Sequence, residues 1–189
     1  MKKIAIFSSG NGSNAENIIK YFKQNKKIKV ELILSNRPGA NVLNRAKNHN
    51  VDTFVFTKNS LNKGSVLKEL NIKKIDFIVL AGFLLKIPEA IIGCYKNKIV
   101  NIHPSLLPLY GGIGMYGIHV HNKVFDAKET KSGITIHFVN NKYDDGAVIF
   151  QAQCPIDSCI RPKDIQKKVH KLEMKFFPRI IETVLDGKN

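Results

Sequence analysis

The sequence predicts an α/β fold: a doubly wound, mostly parallel sheet with an antiparallel C-terminal addition and a closing helix. Three observations predict it. Short β-branched runs alternate with amphipathic stretches over roughly the first hundred residues, the rhythm of right-handed βαβ crossovers. Phe77 to Ala81 is continuously apolar, as in a strand covered on both faces of a parallel sheet. After Gly133 the apolar period falls to two, and a long amphipathic stretch then closes the chain.

Ile4 to Ser8 reads as the first buried strand, and Asn14 to Gln24 as a helix with Ile18, Ile19 and Phe22 on one face. Val30 to Ser35 is a second strand, and the Pro38-Gly39 turn leads to a short helix from Asn41 to Asn48. Asp52 to Phe56 reads as a strand, Lys63 to Leu70 as a helix, and Phe77 to Ala81 and Ile99 to Ile102 as further strands. Gly133 to Val139 sets Ile134, Ile136 and Phe138 against Thr135 and His137, which predicts a half-buried strand. The turn Asn140 to Gly146 joins it to a strand from Ala147 to Cys154. Pro162 to Leu185 reads as the closing helix, kinked at Pro178. The one long irregular stretch is Pro104 to Gly117, with four glycines. A loop of that length in a compact domain is usually functional.

Composition narrows the function classes. The 189 residues are 43% apolar and 24% charged, ordinary for one globular domain with a real core. No apolar run is long enough to span a membrane, and the N-terminal residues do not read as a signal peptide. Cys94, Cys154 and Cys159 then read as free thiols in a reducing, cytoplasmic setting. The net charge of +15 invites a nucleic-acid reading. Only four of the 30 basic residues are arginine, the side chain that reads phosphates and bases bidentately. An anionic small substrate, or no functional meaning of the charge at all, fits this balance better than a specific nucleic acid.

Ligands of open α/β sheets bind beyond the carboxyl ends of the strands. Gly10-Asn11-Gly12-Ser13-Asn14-Ala15 follows the first strand and opens a helix, the spacing of a dinucleotide fingerprint. Such a loop presents backbone N–H groups to a phosphate; a tight capped turn is the plain alternative. An NAD site would want an acid at the end of the second strand, where this chain has Ser35-Asn36-Arg37. NAD is disfavoured, NADP weakly allowed, and a single phosphate fits best. Asn101 and His103 share a strand face and can converge on one atom, suiting an oxyanion or a proton transfer, or form a structural pair. Asp144 lies in an Asp-Gly-rich turn, and can also orient His103 and favour its charged form. His119 and His121 resemble a metal pair, but helical residues two apart diverge and nothing completes the set, so no metal is expected. Glu173 reads by itself as a solvated or ion-paired helix residue.

Taken together, Gly10-Asn11-Gly12-Ser13-Asn14, Ala81-Gly82-Phe83, Asn101-Ile102-His103-Pro104-Ser105-Leu106-Leu107-Pro108, Gly133 to Val139 and Asp144-x-Gly146 resemble the phosphoribosylglycinamide formyltransferase family. The resemblance runs from about Ile4 to Leu185. It implies one Rossmann-like formyltransferase domain over 1–189, with a nucleotide-binding half to about residue 100 and a catalytic, folate-binding half after it. The implied partners are two small molecules, glycinamide ribonucleotide and 10-formyltetrahydrofolate, with no metal. Nothing in the chain signals an oligomeric state.

The resemblance also assigns roles. Gly12, Ser13 and Asn14 would hold the ribose phosphate, and Glu173 the rest of the ribonucleotide. Asn101, His103 and Asp144 would be catalytic. Leu84, Leu85, Lys86 and Ile87, with Asn140, Asn141, Lys142, Tyr143 and Asp144, would enclose the folate's pterin end, and Lys63 would reach its tail. Leu85, Lys63 and Leu109 depart from the residues usual in the family, as does the glycine-rich stretch Gly111 to Gly117. Three rival readings exist. A methionyl-tRNA formyltransferase should carry a further tRNA-binding domain, and a formyltetrahydrofolate hydrolase an N-terminal regulatory one. An NADP-binding module would leave Asn101, His103 and Asp144 without a task.

Overall fold

The computed structural model describes residues 1–187. In chain order the elements are β1 (Lys2–Phe7), α1 (Ser13–Phe22), β2 (Ile28–Ser35), α2 (Asn41–Asn48), β3 (Asp52–Val55), α3 (Lys58–Asn62), α4 (Ser65–Ile72) and β4 (Phe77–Leu80). Then come α5 (Glu89–Cys94), β5 (Ile99–His103), α6 (Ile118–Asp126), β6 (Lys131–Phe138), β7 (Val148–Pro155) and α7 (Pro162–Asp186). The seven strands form one sheet in the order β3-β2-β1-β4-β5-β6-β7. Pairs from β3 to β5 are parallel; β5–β6 and β6–β7 are antiparallel. The expected doubly wound sheet with an antiparallel addition is present.

Alternation along each strand divides the core in two. Ile4 and Ile6 of β1 pack into one cluster with Ile18 of α1, Val42 of α2 and Phe177 of α7. Ala5 and Phe7 point the other way, toward Leu61 of α3, Leu70 of α4 and Ile91 of α5. Both faces of β1 and β4 are therefore covered, which explains their uninterrupted apolar sequence.

The structure corrects several local expectations. The helix expected from Lys63 to Leu70 is α4, starting after Gly64 at φ +87°, and an additional short helix, α3, precedes it. Thr57 and Ser60 begin α3 with reciprocal caps, a signal present in the sequence. The short helix α5 after Pro88 adds to the expected set. The strand expected to be half-buried is not: in β6, Thr135 and His137 are as buried as Ile134 and Ile136. β6 is flanked by β5 and β7, and its polar face is turned inward. α7 runs on through Pro178, which is itself buried.

β6 and β7 approach closely because Gly133 allows it. A Cβ at Gly133 would lie 2.1 Å from the Ala152 carbonyl oxygen and 2.7 Å from Leu106. Gly133→Ala should cost about 2 kcal/mol through overpacking, lowering the thermal midpoint by roughly 5 °C at this chain length. Gly39→Ala, where a Cβ meets nothing within 4 Å, is the control and should move it little. Equal midpoints for the two variants would contradict the close β6–β7 packing.

Candidate active site

The carboxyl ends of β1, β4 and β5 open onto a cavity of about 770 Å³, a size suited to small-molecule ligands. It lies at the switch point where strand order reverses between β1 and β4. At one end is the start of α1. Gly12 precedes the helix at φ +76°, and no side chain caps it. The Ser13, Asn14 and Ala15 N–H groups have no carbonyl a turn earlier to bond, the first such bond being from the Glu16 N–H to the Gly12 carbonyl, so an anion at this helix end meets open donors and a positive dipole. Gly12 is required for a reason other than phosphate approach. A Cβ there would meet the Val42 side chain at 2.5 Å, so the glycine lets α1 and α2 pack together. Asn14 turns its Nδ2 toward α7 and donates to Glu173 Oε2 at 2.9 Å. His170 Nδ1 bonds the same oxygen at 2.8 Å. Glu173 is thus a partly buried bridge between the loop and α7, and this pairing raises the His170 imidazole above its ordinary value.

The other end of the cavity holds the polar centre. In the β5–β6 ladder Asn101 faces His137 and His103 faces Thr135. These four side chains share one face of the sheet, next to the apolar position of Ile99. Each has partners. Thr135 Oγ1 donates to the Ser105 carbonyl at 2.7 Å and accepts from the Leu107 N–H at 2.9 Å. His137 Nδ1 lies 2.8 Å from the Phe138 carbonyl, so that nitrogen carries a proton. Its Nε2 then accepts from Asn101 Nδ2 at 3.1 Å, which orients the amide. The remaining Nδ2 proton faces Asp144 Oδ1 at 3.4 Å, a long and readily exchanged contact.

His103 is held the same way. Its Nε2 lies 2.7 Å from the Tyr110 carbonyl and donates to it. Its Nδ1 is left facing Asp144 Oδ2 at 3.5 Å. The Tyr110 carbonyl is aimed by a left-handed backbone at φ +56° and by a phenol bonded to Glu129 at 2.7 Å. Asp144 is itself fixed, at φ +51°, with Oδ2 accepting from the Gly112 N–H at 2.9 Å. The long glycine-containing loop thus supplies a partner to two of the three catalytic candidates, His103 and Asp144.

Burial is the largest influence on His103 and pushes its imidazole below the ordinary value; the Asp144 charge and the Tyr110 carbonyl pull it only part of the way back. Asp144 thus favours the charged form of His103, as expected, but burial outweighs it and the free ring is shifted toward the neutral form. Burial also acts most strongly on Asp144, upward, but the rings of His137 and His103 and the Gly112 N–H outweigh it and hold the carboxyl below its usual range.

Of the residues given catalytic, substrate or folate roles by the resemblance, all but Lys63 and Asn141 line this cavity; His119 and Leu109 do not. Lys63 and Asn141 are exposed outside its wall. Sequence reasoning missed His137, whose role depends on strand register, and His170. It set aside His121, which is buried at the cavity wall and pushed down to about 4 by desolvation. His121 Nδ1 and Asn14 Oδ1 are buried acceptor positions without a protein partner. Among the described residues no group of three or more His, Cys, Asp or Glu could hold a metal ion, and no helix is long and apolar enough to cross a membrane.

An amide, an imidazole and a carboxylate thus lie at one end of the cavity and the open start of α1 at the other. The sequence pattern of the family described as formyl transferase matches residues 2–181. The chain belongs to that family. It is 35% identical over 195 residues to the phosphoribosylglycinamide formyltransferase of Bacillus subtilis, covering 100% of this chain and 97% of the relative. The Escherichia coli protein of the same name is 32% identical over 191 residues, covering 98% and 88%. The crystal structure of glycinamide ribonucleotide transformylase 1 from Geobacillus kaustophilus superposes with a TM-score of 0.89 at 33% identity, covering 98% of this chain and 99% of that one.

Asp144 is the strongest influence holding the His103 pKa up against burial. Replacing it with neutral Asn should therefore lower the His103 pKa further. NMR titration of the ring in the parent and Asp144→Asn proteins measures this, and an unchanged or higher value would contradict the assignment.

Proposed function

We propose that this chain transfers the formyl group of 10-formyltetrahydrofolate to the amine of glycinamide ribonucleotide, a step of purine biosynthesis. The observation that carries the reading is one cavity joining the free N-terminus of α1 to the Asn101–His103–Asp144 cluster. A phosphate-bearing acceptor anchored at the helix end can lay its amine beside that cluster. The buried acceptors Asn14 Oδ1 and His121 Nδ1 suit hydroxyl or amine hydrogens of the same substrate. Leu84, Leu85, Ile87 and Val139 give an apolar slot beside Asn101, edged by Asn140 and Tyr143, which suits a flat heterocycle with polar edges.

The donor supplies an activated formyl carbon. The rest follows from the residues present. The acceptor amine bonds to that carbon while negative charge grows on the formyl oxygen. Asn101 Nδ2 is held facing the site by His137 and exchanges its long contact to Asp144 for a bond to that oxygen. His103 presents an unprotonated Nδ1, because its Nε2 proton is committed to Tyr110. Nδ1 takes the proton released by the amine and delivers it to the leaving nitrogen as the old C–N bond breaks. Asp144 stabilises the imidazolium that exists between these transfers.

The test is a formyl-transfer assay at about 0.15 M salt, where surface charge is screened beyond roughly 8 Å. Glycinamide ribonucleotide and charged initiator tRNA are offered as rival acceptors. Formylated ribonucleotide should accumulate and formyl-methionyl-tRNA should not. Asn101→Ala and His103→Ala should each lower turnover by roughly 100-fold or more. Formylation of the tRNA alone would overturn the acceptor assignment, and near-normal turnover in either variant would remove that residue from the mechanism.

A further inference from the structure

The loop Gly10-Asn11-Gly12 has to hold a fixed shape if its N–H groups are to converge on an anion. Glycine-rich backbone does not hold a shape unaided, because it loses more conformational freedom on ordering than any other. The restraint comes from α2, on the side away from the cavity. The Val42 N–H bonds the Gly10 carbonyl at 3.2 Å. Asn41 Nδ2 donates to Asn11 Oδ1 at 2.9 Å. Arg45 uses three nitrogens: Nε donates to the Asn11 carbonyl at 2.8 Å, Nη2 reaches Asn11 Oδ1 at 3.3 Å, and Nη1 bonds Glu16 Oε2.

Glu16 explains why this guanidinium matters. It sits in the first turn of α1, where a bare carboxylate would repel an arriving phosphate. Its other oxygen is met by His49 Nε2 and Lys20 Nζ, both at 3.2 Å. With His49 as the largest influence, these partners hold the carboxyl down at about 2 against the opposing effect of burial. Glu16 is thus always ionised near neutral pH, and its charge is compensated locally. None of Arg45, Glu16 or His49 lines the cavity.

We propose that Arg45 is a positioning residue for the acceptor's phosphate: its fork fixes Asn11 and cancels the charge of Glu16, so that the N–H groups of Gly12 to Asn14 meet the phosphate already arranged and unopposed. The proposal rests on the reading that this helix end holds the ribose phosphate. It predicts an effect on one substrate only. Lys keeps the charge but cannot bridge Asn11 and Glu16 together.

The experiment compares the parent protein with Arg45→Ala and Arg45→Lys. It measures KM for each substrate, kcat, inhibition by inorganic phosphate, and thermal midpoint. In the parent, phosphate should compete with glycinamide ribonucleotide; if it does not, the phosphate-site reading itself fails and this proposal with it. Given competition, both variants should raise the ribonucleotide KM and the phosphate inhibition constant together, by about tenfold, the scale of one charge-assisted contact. The formyl-donor KM and kcat should stay within about twofold. Unchanged phosphate affinity in Arg45→Ala would overturn the proposal alone. So would normal affinity in Arg45→Lys, which assigns the effect to charge without positioning. A parallel loss in kcat and both KM values with a lowered midpoint would reduce Arg45 to a general structural role. Arg45→Lys retains the stem and charge, so it decides the matter if Arg45→Ala does not fold.

Discussion

Asn101, His103, Thr135 and His137 project from one face of the adjacent strands β5 and β6, the last three buried, and each buried polar group must find a partner there or the fold loses the cost of burying it bare. Much of the site's architecture answers that demand. Thr135 ties down the chain at Ser105 and Leu107, where the long loop begins. Tyr110 brings a carbonyl to His103, and Gly112 brings an N–H to Asp144. Gly146 lets the β6–β7 turn close, since any Cβ there would fall on the Phe138 carbonyl. The loop is irregular because it follows the hydrogen-bonding needs of the sheet instead of a helical or extended repeat.

The same burial sets the electrostatics. Desolvation pushes His103 toward neutrality and would push Asp144 the same way, yet the Asp144 carboxyl is held below its usual range, with the Gly112 N–H donating to Oδ2. A neutral base beside a fixed negative charge is poised: it accepts a proton readily, and the charge pair that results is stabilised without movement of the backbone. Fixing the tautomer matters as much as fixing the charge. With Nε2 committed to Tyr110, only Nδ1 can exchange protons with a ligand.

Much of this was legible in the sequence. The fold class followed from the alternation of strands and helices, and α2 matches its expected span from Asn41 to Asn48. The places of Asn101, His103 and Asp144 in one cavity follow from strand-end motifs read with a family resemblance. What escaped has a common cause. β6 read as half-buried because Thr135 and His137 are polar, and periodicity separates two faces without saying which is wet. His137 opposite Asn101 is a fact of register, which a single strand does not encode. The short helices α3 and α5 lie below the length at which a 3.6-residue period can be recognised. Asp144 acts on His103 in the expected direction, but the larger opposing effect of burial is not visible in sequence.

The bond from Asn14 to Glu173 spans 159 positions of the chain. α7, at 25 residues the longest element, carries Glu173 and His170 to the phosphate end and buries Phe177 and Ile181 under the sheet. Synthesis runs from the N-terminus, so the glycine loop and α1 leave the ribosome long before the helix that completes the cavity wall beside them. A nascent chain without α7 has all seven strands of the sheet but no Glu173 bridge and only part of the core cluster that contains Ile4 and Ile6. Competence to bind the acceptor therefore arrives with the final helix, and an interrupted polypeptide has no finished binding site to compete for substrate.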